Sequence, residues 1–109
     1  MKLVIVVISD EDAKETIQAL LDSGFKCTKL ASTGGFLKAG NTTLMIGVLD
    51  KDLEAVYEIL KENCRTREEK VSAGLMDIGG LNFMGTPTMD ITVGGAVIFV
   101  VNVIDHRNY

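Results

Sequence analysis

Leu3-Val4-Ile5-Val6-Val7-Ile8-Ser9-Asp10-Glu11-Asp12 passes without a break from an apolar, mostly β-branched run into an acidic turn. An apolar run with no polar alternation reads as a central strand covered on both faces. Ser9 or Asp10 offers a helix cap, and three acidic residues fill the first turn, where the helix dipole favours negative charge. Ala13, Ile17, Leu20 and Leu21 then recur at i, i+4, i+7 and i+8, which makes one apolar helix face. Gly24 ends that helix as a left-handed cap. The opening is therefore a strand feeding directly into an amphipathic helix.

The same entry recurs 40 residues later as Val48-Leu49-Asp50-Lys51-Asp52. Asp50 is expected to cap a second helix that carries Leu53, Val56, Tyr57 and Leu60 on one face and ends near Cys64. Between the two units lie a strand over about 26–32, a glycine-rich connection and a strand over about 42–49. The mixed charges of 61–70 read as a solvated helix end. Residues 66–90 carry Gly74, Gly79, Gly80, Gly85 and the only proline, Pro87. A connection of that length is usually functional or mobile. Met89, Ile91 and Val93 alternate with polar residues, as in a strand with one wet face. Gly94-Gly95 suggests a bulge or the close approach of another backbone. Ala96 to Val101 reads as a last buried strand. The order β-α-β-β-α-β predicts an α+β, ferredoxin-like sandwich with a long loop before the last strands.

A chain of 109 residues predicts a single domain spanning 1–109. Its 47% hydrophobic content supports a packed core, and its net charge of -4 lacks the basic stripe that a nucleic-acid polymer requires. The six apolar residues of 3–8 fall short of a signal-peptide core, and no run approaches the ~20 of a membrane span. The expectation is a cytoplasmic protein without membrane insertion. Cys27 and Cys64, with one histidine, make no metal-site spacing and read as two reduced thiols. No metal and no cofactor are expected.

The chemistry concentrates in Thr33-Gly34-Gly35-Phe36-Leu37-Lys38-Ala39-Gly40-Asn41. Glycines let successive backbone amides approach a phosphate and form an anion-binding concavity. Phe36 offers a face on which a base can stack. Asn41 can bond a base edge or a phosphate, Lys38 supplies charge, and Thr33, Thr42 and Thr43 supply hydroxyls. The plain alternative is a hairpin loop whose glycines only satisfy turn geometry, because the spacing is neither a Walker nor a Rossmann motif. A catalytic reading has less behind it. Ser9, Ser32 and Cys27 have no neighbouring histidine in sequence, and His106 reads as a surface residue near the chain end.

The ungapped stretch from Thr28 to Thr43 resembles the signature of the PII-like cyclic di-AMP receptors. Val93-Gly94-Gly95-Ala96-Val97-Ile98-Phe99-Val100 resembles that family's last core strand, and Met1 to Ile8 its first. The resemblance spans essentially the whole chain. It implies a non-enzymatic homotrimer that binds one cyclic di-AMP per subunit in clefts between subunits and passes the signal to a protein target by ordering loops. By position it implies ligand contacts at Thr28, Gly35, Phe36, Leu37, Asn41 and Gly47, with Gly94 as a further candidate. Asn108-Tyr109 resembles the family's polar-aromatic ending, which reaches the neighbouring site. Gly24 and Lys26 stand where the family commonly has Asn and Arg. Lys26 is a point charge in place of a planar fork, and His106 or Arg107 is the candidate for the missing polar contact. These departures leave open a sensor of a different adenine nucleotide, such as ATP or ADP. A structural interaction module without a ligand is the third reading.

Overall fold

A computed structural model describes residues 1–31, 40–72 and 88–109. The apolar opening forms strand β1 (Lys2–Ser9), and it lies inside a four-stranded sheet rather than at its edge. Helix α1 (Asp10–Asp22) follows, then β2 (Thr28–Ala31) and β3 (Asn41–Val48). A short 3-10 turn over Asp50–Asp52 leads into α2 (Leu53–Cys64). β4 (Arg67–Ser72), β5 (Thr88–Val93) and β6 (Ala96–Asn102) complete the described elements. The sheet order is β2-β3-β1-β6, every neighbouring pair is antiparallel, and β4 pairs with β5 in a separate two-stranded ribbon. This is the ferredoxin-like α+β arrangement.

The register of β1 sorts its side chains. Val4 pairs with Ile46 and Val100, and Val6 pairs with Leu44 and Ile98. Directly paired residues share a face. Val4, Val6, Ile8, Leu44, Ile46 and Val48 thus form the face that packs on Ala13 and Leu20 of α1 and on Val56, Leu60 and Cys64 of α2. Full burial of each aliphatic chain stabilises by ~1.5–3 kcal/mol. A buried hydroxyl links the helices. Thr16 Oγ1 donates to Asp12 O at 2.7 Å and lies 3.1 Å from Cys64 Sγ. A hydroxyl has one hydrogen, so the Cys64 thiol is left as the donor in that second contact.

The opposite face of the sheet carries Leu3, Ile5, Met45, Phe99 and Val101, brought together by the pairs Leu3–Val101, Ile5–Met45 and Ile5–Phe99. The α1 and α2 core packs on the other side, so β1 is covered on one face by helices and not on both as its composition suggested. An antiparallel sheet commonly leaves one face open. Here that face is apolar, with Phe99 47% and Val101 46% exposed.

Local signals explain the C-terminal end of α1, whereas at its start Ser9 holds the N-cap position without a side-chain cap, its hydroxyl turned to Gly94 O. Phe25 N–H bonds Leu20 O at 2.9 Å and Gly24 N–H bonds Leu21 O at 3.0 Å, a Schellman closure with Gly24 at φ +86. Asp50 differs from expectation. Its side chain caps nothing, since Leu49 holds the N-cap position of the turn. Asp50 Oδ1 instead lies 3.0 Å from the Met1 ammonium and 3.9 Å from Lys2 Nζ. The hydrogen bond from that ammonium holds the Asp50 carboxyl below its ordinary value, with Lys2 adding to it. The charged run 61–70 is also corrected. Only its first four residues are helical, because Arg65 at ψ 145 leaves the helix and Arg67 starts β4. The partner that makes β4 a strand is β5, with Arg67 opposite Val93.

Leu44 is fully buried at the centre of the helix-facing layer. Leu44→Ala is expected to lower the unfolding free energy by ~2–5 kcal/mol, read as a shifted urea midpoint. A change below ~1 kcal/mol would place Leu44 outside the core.

Candidate functional site

Two-residue alternation along β3 puts Met45 and Gly47 on the open face, and pairing adds Thr28 opposite Met45 and Leu3 opposite Gly47. These four residues line a groove of about 610 Å³. Lys26 and Cys27, just before β2, continue one wall with Thr28. Val103, His106 and Asn108 of the C-terminal tail line the groove as well, as does Met1. The tail is held there because Val103 N–H bonds Met1 O at 3.2 Å and Lys2 Nζ bonds Asn102 Oδ1. Gly47 gives the floor its depth. A Cβ at that position would lie 3.1 Å from Met1 Cε. The groove is apolar below, and Lys26, Thr28, His106 and Asn108 supply polar groups.

A second cluster surrounds the far end of β3. Asp10 N–H bonds Gly40 O at 2.9 Å, and Thr42 Oγ1 donates to Asp10 Oδ1 at 2.6 Å. A Cβ on Gly40 would collide with the Asp10 carboxylate and push it off Thr42. Asn41 is buried and pairs with Ser9. Two residues along α1, the buried Asp12 accepts from Arg67, with Nη2 2.9 Å from Oδ1 and Nη1 3.4 Å from Oδ2. Glu11 lies 3.6 Å from the same guanidinium. Gly94, at φ +79, packs against Arg67, Arg65 O and Asp12, and its own carbonyl accepts from Ser9 Oγ at 3.4 Å. The first turn of α1 therefore touches the end of the glycine-rich connection on one side and the base of the β4–β5 ribbon on the other. The acidic residues read as helix-start charges are tertiary ties as well.

Of the residues singled out in the sequence, Lys26, Thr28, Gly47 and Asn108 come together in the groove. Asn41 sits at the opposite end of β3 from Gly47, ~20 Å away at strand rise. Gly94 lies beside Arg67, not in the groove. Gly35, Phe36 and Leu37 fall outside the described residues, as do Thr33, Gly34 and Lys38. Sequence reasoning did not single out Leu3, Cys27, Met45 or Val103 as groove residues, and it named His106 only as an alternative to Arg107. Met45 was within reach, two residues from Gly47 on the same strand face. Nothing local announces where the tail lies. Among the described residues no group of His, Cys, Asp and Glu is placed to hold a metal ion, and no helix is long and apolar enough to cross a membrane.

The architecture is thus an α+β protein with a ferredoxin-like sheet and a groove on its open face. The family described as cyclic-di-AMP receptor matches residues 1–109, the whole chain. A solved structure of a protein of unknown function from Pediococcus pentosaceus is similar, at 34% identity and a TM-score of 0.80, over 99% of this chain and 96% of that one. The chain belongs to the cyclic-di-AMP receptor family.

Both thiols are free, and burial pushes each above its ordinary value, Cys64 from the core and Cys27 from a half-buried position in the groove. A thiol-specific reagent on the native protein at neutral pH should modify Cys27 first and reach Cys64 only on unfolding; the reverse order would contradict this packing. Asp12→Ala should cost ~1–3 kcal/mol in denaturant unfolding. That is less than a fully buried pair would lose, because the Arg67 side chain is 35% exposed.

Proposed function

We propose that this protein senses cyclic di-AMP, binding it in clefts between subunits of a homotrimer and relaying occupancy through the 66–90 segment to a protein target. The observation that carries the reading is the family match over the full chain. The groove supports it. Its volume is within the ~300–1,000 Å³ of small-molecule sites, and Lys26, Thr28, Gly47 and Asn108 meet in it. Gly35, Phe36, Leu37 and Asn41 are proposed to complete the contacts from the glycine-rich connection, with Phe36 against a base. The apolar sheet face beside the groove supports association, since exposed apolar patches mark contact surfaces. The whole of 1–109 is taken as one domain.

The first turn of α1 supports the relay. Asp10 holds Gly40 and Thr42, and Asp12 holds Arg67 at the ribbon base. A ligand that orders the glycine-rich connection would bear on the ribbon through that one turn. The reading is non-enzymatic. Cys27 and His106 share the groove, yet burial raises the thiol, the opposite of what activates a nucleophile. Two free thiols suit the reducing cytoplasm, which is where we place the protein.

Calorimetry with cyclic di-AMP, cyclic di-GMP, ATP and AMP tests the ligand. Cyclic di-AMP should bind more tightly than the others; a preference for ATP would make it a sensor of a different adenine nucleotide. Silence with all four would leave an interaction module. Phe36→Ala and Asn41→Ala should each weaken cyclic di-AMP binding by ~1–3 kcal/mol. Bound nucleotide should also slow thiol labelling at Cys27 and leave Cys64 unaffected. Light scattering should return the mass of three chains, and a monomer would remove the cleft.

A further inference from the structure

The sequence left two tail residues, His106 and Arg107, as sources of the polar contact that Lys26 does not supply. Their surroundings separate them. The Arg107 guanidinium is occupied within the tail itself, with Nε 3.1 Å from Asp105 Oδ2 and Nη1 3.4 Å from Tyr109 Oη. It does not line the groove, whereas His106 does, together with Lys26 and Asn108. Lys26 is the only cationic side chain among the described residues that line this groove. The Met1 ammonium, also near its wall, is paired with Asp50. Among its described residues, a chain of net charge -4 thus offers an anionic ligand one lysine at the groove.

We infer that His106 is a specificity-determining residue of the groove, supplying with Lys26 a second, pH-switched donor to a phosphate of the bound nucleotide. The inference rests on the cyclic di-AMP reading and adds a residue and a condition to it. Histidine is the side chain that gains charge between about pH 8 and 5. Beside an anion the imidazolium is favoured, and its hydrogen bond to phosphate is roughly twice as strong as a neutral one. Among the described residues, few charged or titratable groups share the groove or adjoin His106 in the tail. Lys26 lines the same groove. Cys27 is a neutral thiol there, since burial pushes it up. Asp105 and Arg107 neutralise each other, and the Met1 ammonium faces Asp50. Affinity for a phosphodiester should rise as pH falls.

The experiment is a calorimetric titration of the full chain with cyclic di-AMP at pH 8, 7 and 6, alongside adenosine as a ligand without phosphate. The wild type should bind cyclic di-AMP about fivefold more tightly at pH 6 than at pH 8, and adenosine should show no such change. His106→Gln keeps a polar side chain and should flatten the profile at the weak level. His106→Lys should flatten it at the tight level. Position 106 is exposed, so both variants are expected to fold, with circular dichroism as the check. A flat wild-type profile, or a His106→Gln profile as steep as the wild type, overturns the inference while leaving cyclic di-AMP binding in place. A pH effect of equal size with adenosine also overturns it, because the contact would then be to a base. Absence of cyclic di-AMP binding at every pH overturns the ligand reading itself, and this inference with it.

Discussion

The antiparallel register of β1, held between β3 and β6, is the constraint on which the other features depend. It fixes which β-branched side chains enter the helix-covered core and which line the open face. It also carries the two ends of the strand to different work. At the Lys2 end the register sets Leu3 opposite Gly47 and lets Met1 O anchor the tail through Val103. At the Ser9 end it sets Asn41 beside the start of α1 and lets the Ser9 hydroxyl reach Gly94. A slip of one residue would exchange the two faces, and would bury Leu3 and Ile5 in place of Val4 and Val6.

The short acidic turn after β1 shows how one sequence feature can hold two structural roles. Negative charge at a helix start is favourable by dipole alone, and that accounts for the composition of Asp10-Glu11-Asp12. It does not account for the partners. Asp10 fixes the backbone and hydroxyl at Gly40 and Thr42, and Asp12, nearly closed off from water, accepts both ends of the Arg67 fork. A planar guanidinium is suited to that bidentate contact. Because both ties sit on a single helical turn, movement at the end of the glycine-rich connection and movement at the ribbon base share one rigid element. The two ties join segments distant in sequence to that one turn.

The groove has a different logic. Its floor follows from strand alternation, which puts Met45 and Gly47 on one face, and from the absence of a side chain at Gly47 under Met1. Its polar rim is assembled from segments without regular structure. Lys26 and Cys27 come from the turn between α1 and β2, and His106 and Asn108 from the tail beyond β6. The chain belongs to the cyclic-di-AMP receptor family, and Lys26 brings positive charge to the rim of this groove.

The sequence by itself determined the core strands, both helices, the left-handed stop at Gly24 and the β-α-β-β-α-β order. Each of these is written in local periodicity or in one residue's backbone freedom. Through resemblance it also put forward Lys26, Thr28, Gly47 and Asn108, which line one groove. Only the tertiary structure decided that Arg67 begins a strand, because its pairing partner Val93 lies far along the chain. Only it decided that Asp50 serves the Met1 ammonium instead of a helix cap, since a carboxylate's spatial partner leaves no trace in its neighbours. The same reason applies to His106. Its place in the groove depends on where the tail crosses the strand ends, and that is set by Met1, Val103 and the register of β1.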